Sequence, residues 1–279
     1  MRSCSSVTVA WYPEHDAGHW WGTGAAMRVA TFNILHGRNP ADDVVDVGTF
    51  GSAIASLEAD VLALQEVDRN QPRSHLADLT AVAAEAMGAS EHRFAAAMTG
   101  SPGATWVAAT GEEQPDAATY GVALLSRHPV TAWHVVRLPV LKAPTPFWFH
   151  GDRLPTLVRD EARVALAAQV ELPGGPVTVV TTHLSFVPWW NGRQLRYLVR
   201  SLEVAERPLV LTGDLNMGQR RATGLTGMTP AGTWPTFPSD APREQLDHIL
   251  LDGGLTATAT SAPHLPLSDH RALVADLER

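Results

Sequence analysis

The chain has a single cysteine, Cys4, among its 279 residues. It can close no internal disulfide, so the fold has to rest on a buried core, and a reducing, cytoplasmic setting is the expectation. It also lacks any run of the roughly 18–20 apolar residues that a helix needs to cross a bilayer. Positive charge is scarce: 21 Lys and Arg against 29 Asp and Glu leave a formal net charge of −8. Without a general basic field, a protein cannot hold long duplex DNA by phosphate attraction alone. It would need a local patch or a bound cation. Charged residues make up only 18% of the chain and apolar residues 45%. That composition argues against disorder and for one large domain or two small ones.

Residues 1–26 contain three of the nine tryptophans and two of the twelve histidines, yet they follow neither helical nor strand periodicity. The apolar stretch Ser6 to Tyr12 is short for a secretory signal and is cut off by Pro13, Glu14 and His15. His15 and His19 lie four apart, but Gly18 and the absence of an apolar face speak against a metal-binding helix there. The expectation is an extension, residues 1–26, ahead of a single catalytic domain, residues 27–279, whose fold survives removal of the extension.

From Met27 onward strands and helices alternate. Val29 to Leu35 is strand-like, Phe50 to Leu57 has helical spacing, and Val61 to Leu64 reads as a short buried strand. Leu76, Leu79, Val82, Ala83, Ala86 and Met87 repeat the helical pattern, and Gly88 supplies a stop. Further strands are expected over Val122 to Leu125, Arg163 to Glu171, Val177 to Thr182, Leu209 to Leu211, Leu246 to Leu251 and Ala272 to Leu277. Leu195, Leu198, Val199 and Leu202 form an apolar helix face, with Arg193, Arg196 and Arg200 opposite, most simply as solvated surface. Gly100 to Thr119 and Pro139 to Leu157 read as long loops.

Polar groups of a particular kind stand where apolar runs end: Asn33, Gln65 with Glu66, His183, Asp214 with Asn216, Asp247, and Asp269 with His270. Any one has an ordinary structural explanation, such as an Asx turn, a helix cap or a surface ion pair. Together they describe rigid strands presenting acids, amides and imidazoles to one convergent site.

The whole set, in this order, resembles the endonuclease/exonuclease/phosphatase superfamily, with its deoxyribonuclease I-like fold, over about Arg28 to Leu277. The resemblance implies an α/β, four-layer α/β/β/α sandwich, in which two mixed β-sheets are flanked by helices and the active site lies at one edge. Carboxylate and amide oxygens are hard ligands, so Glu66, with Asn33 and Asp269, suits Mg²⁺ or Mn²⁺. His270 is the candidate base, and Asp247 resembles the family carboxylate that orients it. Asp214 and Asn216 can position water or phosphate. His183 looks like the family histidine that donates a hydrogen bond to the phosphate or protonates the leaving oxygen. Leu35 stands where some repair nucleases carry a second acidic ligand, so a one-metal site led by Glu66 is expected. The abasic-site repair branch has tyrosine where this chain has His183, which demotes that activity.

The implied activity is Mg²⁺- or Mn²⁺-dependent hydrolysis of a phosphodiester or phosphomonoester by in-line water attack, of nuclease or phosphatase type. The alternatives are a lipid-directed, sphingomyelinase- or phospholipase C-like phosphodiesterase and a noncatalytic binding module on the same scaffold. The expected partner is a phosphate-ester substrate. Long duplex DNA is disfavoured, a membrane surface stays open, and a monomer is expected. Arg127, Arg159 and Arg163 are candidate phosphate contacts. Trp189 and Trp190, with Phe186, Phe147, Trp148 and Phe149, fall in connecting segments as either satellite core or an apolar rim that grips a base or a lipid.

Overall fold

The computed structural model describes residues 26–147 and 154–279. The expectations for residues 1–25, including His15 and His19, and for Trp148 and Phe149 lie outside the described residues.

Two sheets dominate. In the first, the spatial order is Thr256–Ser261, Leu273–Glu278, Met27–Asn33, Val61–Arg69, Thr119–Ser126, Glu91–Gly100 and Trp106–Ala108. In the second it is Thr229–Pro230, Asp247–Asp252, Leu209–Asp214, Gly175–His183, Val164–Leu172 and Val130–Arg137. Both sheets are mixed, each with one parallel pair in an otherwise antiparallel ladder.

Successive side chains of a strand point to opposite faces, and this alternation sorts the apolar residues into layers. Val29, Val61, Ala63, Val122, Leu124, Leu166, Ala168, Val179 and Val210 meet in the space between the sheets. Their neighbours Ala30, Phe32, Leu62 and Leu64 face outward and are covered by helices Val47–Ser56 and Leu79–Met87. On the second sheet Ala165, Ala167, Val180 and Leu211 are covered by helices Pro188–Ser201 and Gln219–Thr226. Helix, sheet, sheet and helix make the expected four-layer sandwich.

Local signals set the helix ends. Asp46 and Asp78 accept hydrogen bonds from backbone N–H groups of the first turns of their helices. Gly88 ends the second helix at φ 65°, a conformation that glycine adopts without strain.

Three of the longer strands escaped the sequence reading. Glu91–Gly100 has Glu91, His92 and Arg93 at its start, Val130–Arg137 has a largely exposed outer face, and Thr256–Ser261 is a mostly exposed edge strand rich in Thr and Ala. None carries a strong apolar alternation. The supposed loops also contain short strands: Trp106–Ala108 in the first and the ladder Thr145–Phe147 with Thr156–Val158 in the second. Trp189 and Trp190 are not in a connecting segment. They occupy the first turn of helix Pro188–Ser201, where Pro188 pre-sets the backbone.

Candidate active site

Parallel strands need a crossover. Helix Val47–Ser56 provides it between Met27–Asn33 and Val61–Arg69, and helix Pro188–Ser201 between Gly175–His183 and Leu209–Asp214. Each crossover returns the chain in the same direction, so the carboxyl ends of all four strands meet at one edge. Asn33, Glu66, His183 and Asp214 stand there. The antiparallel strand Asp247–Asp252 starts at that edge, with Asp247 opposite Asp214. Leu273, in the strand that follows His270, pairs with Thr31.

Local irregularities aim the side chains. At Glu66 the ladder to Thr119–Ser126 slips by one residue, and Glu66 takes φ 57°. This bulge takes Glu66 out of register with the partner strand and presents its carboxylate at the edge. Asn216 (φ 49°) turns the chain after Asp214, and its backbone N–H donates to Asp214 Oδ1 at 2.9 Å. Gly213 precedes Asp214 at φ 129°, and a Cβ there would lie 1.9 Å from the Thr182 carbonyl oxygen. The Thr-Gly-Asp sequence therefore requires its glycine.

The two sheets are joined at this edge by polar contacts. Asn33 Nδ2 donates to Glu66 Oε1 at 3.1 Å and to Asp214 Oδ2 at 3.0 Å. Beneath them, buried Gln65 Nε2 donates to Thr31 Oγ1 in its own sheet and to Thr181 Oγ1 across the gap. His270 Nδ1 lies 2.8 Å from Asp247 Oδ2, and its Nε2 faces Asp214 Oδ2 at 3.8 Å. Ser268 holds this segment in place. Its hydroxyl donates to the Asn33 carbonyl at 2.6 Å and accepts from the His270 backbone N–H at 3.1 Å. Phe237 packs on the His270 ring, with centroids 5.0 Å apart.

Burial alone would lower the His270 pKa, but attraction and the hydrogen bond from Asp247, helped by Asp214 and Asp269, outweigh it and raise it to about 10. Asp214 is pushed up to about 7, chiefly by burial and then by repulsion from Asp247, with His270 opposing. Burial also raises Glu66. The Asn33 hydrogen bond offsets part of that shift, and repulsion from Asp269 adds to it.

His183 is different. Arg163 Nη1 lies 3.1 Å from its Nδ1, and a guanidinium can only donate, so Nδ1 accepts and the ring proton sits on Nε2. That nitrogen is 3.5 Å from Asp214 Oδ2. Burial, then the charges of Arg163 and His270, push its pKa well below the usual value. His183 is thus a neutral hydrogen-bond donor.

The donor set fits a hard cation. Glu66 and Asp269 are carboxylates that repel one another, the Asp269 side chain makes no hydrogen bond or ion pair among the described residues, and buried Asp247 Oδ1 has no hydrogen-bond partner. A divalent ion would relieve this concentration of negative charge, and oxygen-rich donors favour Mg²⁺ or Mn²⁺ over zinc. Ligand atoms of Asp214, Asp247 and His270 also lie within 4.8 Å of one another. The short His270–Asp247 contact already engages two of them with each other.

Residues 30–270 match the model of the endonuclease/exonuclease/phosphatase family. The chain belongs to that family. Its members are phosphoesterases that generally depend on divalent metals. Solved family structures show the same fold. An endonuclease/exonuclease/phosphatase from Beutenbergia cavernae DSM 12333 is 24% identical, with 91% of this chain and 71% of that one covered and a TM-score of 0.67. A mannosyl-6-phosphatase from Bacteroides thetaiotaomicron VPI-5482 is 15% identical (91% and 100% covered, TM-score 0.61). Sphingomyelinase C from Streptomyces griseocarneus is 18% identical (91% and 99% covered, TM-score 0.58). No curated protein matches the chain.

Among the residues singled out from the sequence of this family member, Asn33, Glu66, His183, Asp214, Asn216, Asp247, Asp269 and His270 come together. Arg163 joins them, held by Asp160, Glu161 and His183. Arg127 does not. Ser126 pairs with Val61 at the start of the strand whose far half carries Glu66, and Arg127 Nε donates to the Met87 carbonyl at that opposite end. Arg159 is exposed and Trp190 is buried, whereas Trp189 is exposed. His36, next to Leu35, sits at φ 48° in a tight turn, its pKa lowered to about 3 by burial and by Arg73 and Arg38.

Sequence reasoning missed Tyr120, which is buried beside the site with the Arg73 guanidinium 5.4 Å over its ring, and the Trp106 Nε1–Glu161 Oε1 bond of 3.0 Å. It also passed over the roles of Gln65 and Ser268. Both stand inside motifs already noticed, and that adjacency was the only signal available. No helix of the described residues is long and apolar enough to cross a membrane.

Proposed function

We propose that this family member is a Mg²⁺- or Mn²⁺-dependent phosphoesterase that cleaves its ester by in-line attack of an activated water. The observation that carries the reading is the convergence, from two sheets, of the buried His270–Asp247 pair with Asp214, Asn216, Asn33 and Glu66 at one edge. A divalent ion held by Glu66, Asn33 and Asp269 would draw the phosphate in and offset the charge that grows on its oxygens. Asp247 fixes the His270 ring with its proton on Nδ1, which leaves Nε2 to accept a proton from water. Asp214 and Asn216 hold that water in line. His183 donates from Nε2 to a phosphate oxygen, and its neutrality fits it for that role rather than for protonating the leaving oxygen.

A second reading rests on the approach of His270 Nε2 to Asp214 Oδ2, 3.8 Å apart in a buried setting. With His270 raised to about 10 and Asp214 to about 7, Asp214 is the base near neutral pH and His270 stabilises charge as an imidazolium. The two readings separate at high pH. Activity is lost above about pH 10 if the imidazolium is required and retained if neutral His270 is the base.

The neighbours by name include a sphingomyelinase and a phosphatase of a sugar phosphate, so the fold accommodates more than one kind of ester. The test is turnover of model phosphate mono- and diesters with Mn²⁺. Loss of turnover with EDTA, His270→Ala and Glu66→Ala is expected, and full activity in either variant would overturn the assignment.

A further inference from the structure

Helix Pro188–Ser201 has a face that the site leaves unused. Leu195 and Leu198 are buried against the second sheet. At 3.6 residues per turn, Trp189, Arg193, Arg196, Tyr197 and Arg200 fall on the other side within an arc of about 100°. All five are exposed, Trp189 at 57% and Tyr197 at 46%. Helix Gln219–Thr226 packs beside it and adds exposed Arg220 and Arg221. The Arg221 guanidinium donates to the Pro188 carbonyl, and a Cβ at Gly192 would lie 2.7 Å from its Nη2. Neither helix contains an acidic residue.

None of these arginines forms an ion pair among the described residues, whereas Arg28, Arg73 and Arg207 are each paired with an aspartate. In a chain of net charge −8, this is a concentrated basic surface. Its Trp189 end is the one nearest the site: the helix begins just after strand Gly175–His183, and Asn191, on the buried face of the same turn, donates from Nδ2 to the Asn216 carbonyl at 2.8 Å.

We propose that this stripe of arginines and aromatics is a docking track that leads a single-stranded nucleic acid to the catalytic edge. The guanidinium groups match backbone phosphates in charge, and Trp189 and Tyr197, set among them, offer faces on which unpaired bases stack. From Trp189 to Arg200 the track is about 16 Å long at 1.5 Å per residue, long enough for several phosphates. A bilayer is a poorer match. An interfacial helix inserts an aliphatic face, and the aliphatic face of this helix is already spent on the core. Duplex DNA presents no free base faces to stack on. The proposal deepens the phosphoesterase reading and rests on it only for the fate of the strand.

Binding of a fluorescein-labelled oligothymidylate, followed by anisotropy in EDTA, tests the track without hydrolysis. Wild-type binding should weaken steeply with salt. Arg196→Gln with Arg200→Gln should lower the slope of log K against log salt by about 1.4, two single-strand phosphate contacts' worth. Trp189→Ala should weaken binding by about tenfold or more. Arg93→Gln with Arg127→Gln changes net charge equally at the end of the first sheet away from the site and off the track, and should leave binding as it was. The proposal is overturned if the oligonucleotide does not bind, if the control pair weakens binding as much as the track pair, or if phosphatidylcholine–phosphatidylserine vesicles bind in place of the oligonucleotide. Failure of the phosphoesterase reading shows separately, as absent Mn²⁺-dependent turnover with binding in EDTA intact.

Discussion

Replacing Asp247 by Asn probes the shortest of the buried charge pairs inside the site. His270 Nδ1 and Asp247 Oδ2 are 2.8 Å apart, with side-chain exposures of 7% and 0%, so solvent screens them little. The His270 pKa stands at about 10 against an ordinary 6.5. At ~1.36 kcal/mol per pKa unit, the surroundings of the ring, burial included, favour its charged form by a net of about 5 kcal/mol. Asp247 heads the acids that raise it, ahead of Asp214 and Asp269. Losing Asp247 should cost about 3 kcal/mol, the lower end for breaking a buried pair, because the ring can shed its proton. The folded-state pKa is the raised one, so this stabilisation is complete below about pH 6.5 and fades as pH climbs through about 10. At ~2–4 °C per kcal/mol for a domain of this size, Tm should fall by about 6–12 °C at pH 7. The gap to wild type, measured at the same pH, should narrow near pH 10. Histidine NMR titration should show His270 losing its proton at much lower pH in the variant. A His270 that still titrates near 10, or a Tm gap equal at both pH values, would refute the reasoning.

Three further outcomes follow from other contacts. Glu66→Gln removes the carboxylate proposed to lead the cation site and should weaken Mn²⁺ binding by isothermal titration calorimetry at least tenfold with Tm little changed; unaltered affinity would move the metal elsewhere. Leu166→Ala opens a cavity between the sheets, where Leu166 is fully buried, and should cost about 3–5 kcal/mol in urea unfolding; a loss under 1 kcal/mol would mean that the sheets close over the gap. Arg163→Met deprives His183 Nδ1 of its donor, so its ¹⁵N signals should report a mixture of tautomers and a higher pKa than in wild type; an unchanged spectrum would show that Arg163 does not set the proton.

The sequence by itself determined the strands that are buried on both faces and the polar groups at their ends, because burial on two faces writes an unbroken apolar run into the chain and a strand end interrupts it. Asn33, Glu66, His183, Asp214, Asp247 and His270 were all legible in this way. The alternation of strands and helices gave α/β units, and the four-layer sandwich came with the family resemblance that these groups carry in their order along the chain. Edge strands such as Thr256–Ser261 left no such mark, because an exposed edge selects little for side-chain pattern. What only the tertiary structure decided is which groups meet. Arg163 and Arg127 both border strand-like runs, yet Arg163, just before its strand, reaches His183 and Arg127, just after its own, lies at the far end of its sheet, since strand direction sets the edge at which a residue emerges. The glutamate bulge, the proton on His183 and the pairing of Asn33 with Asp214 across 181 positions of sequence depend on register between strands. The arginines of helix Pro188–Ser201 read as solvated surface in the sequence, and only the packing shows that Arg220 and Arg221 of a second helix lie beside them.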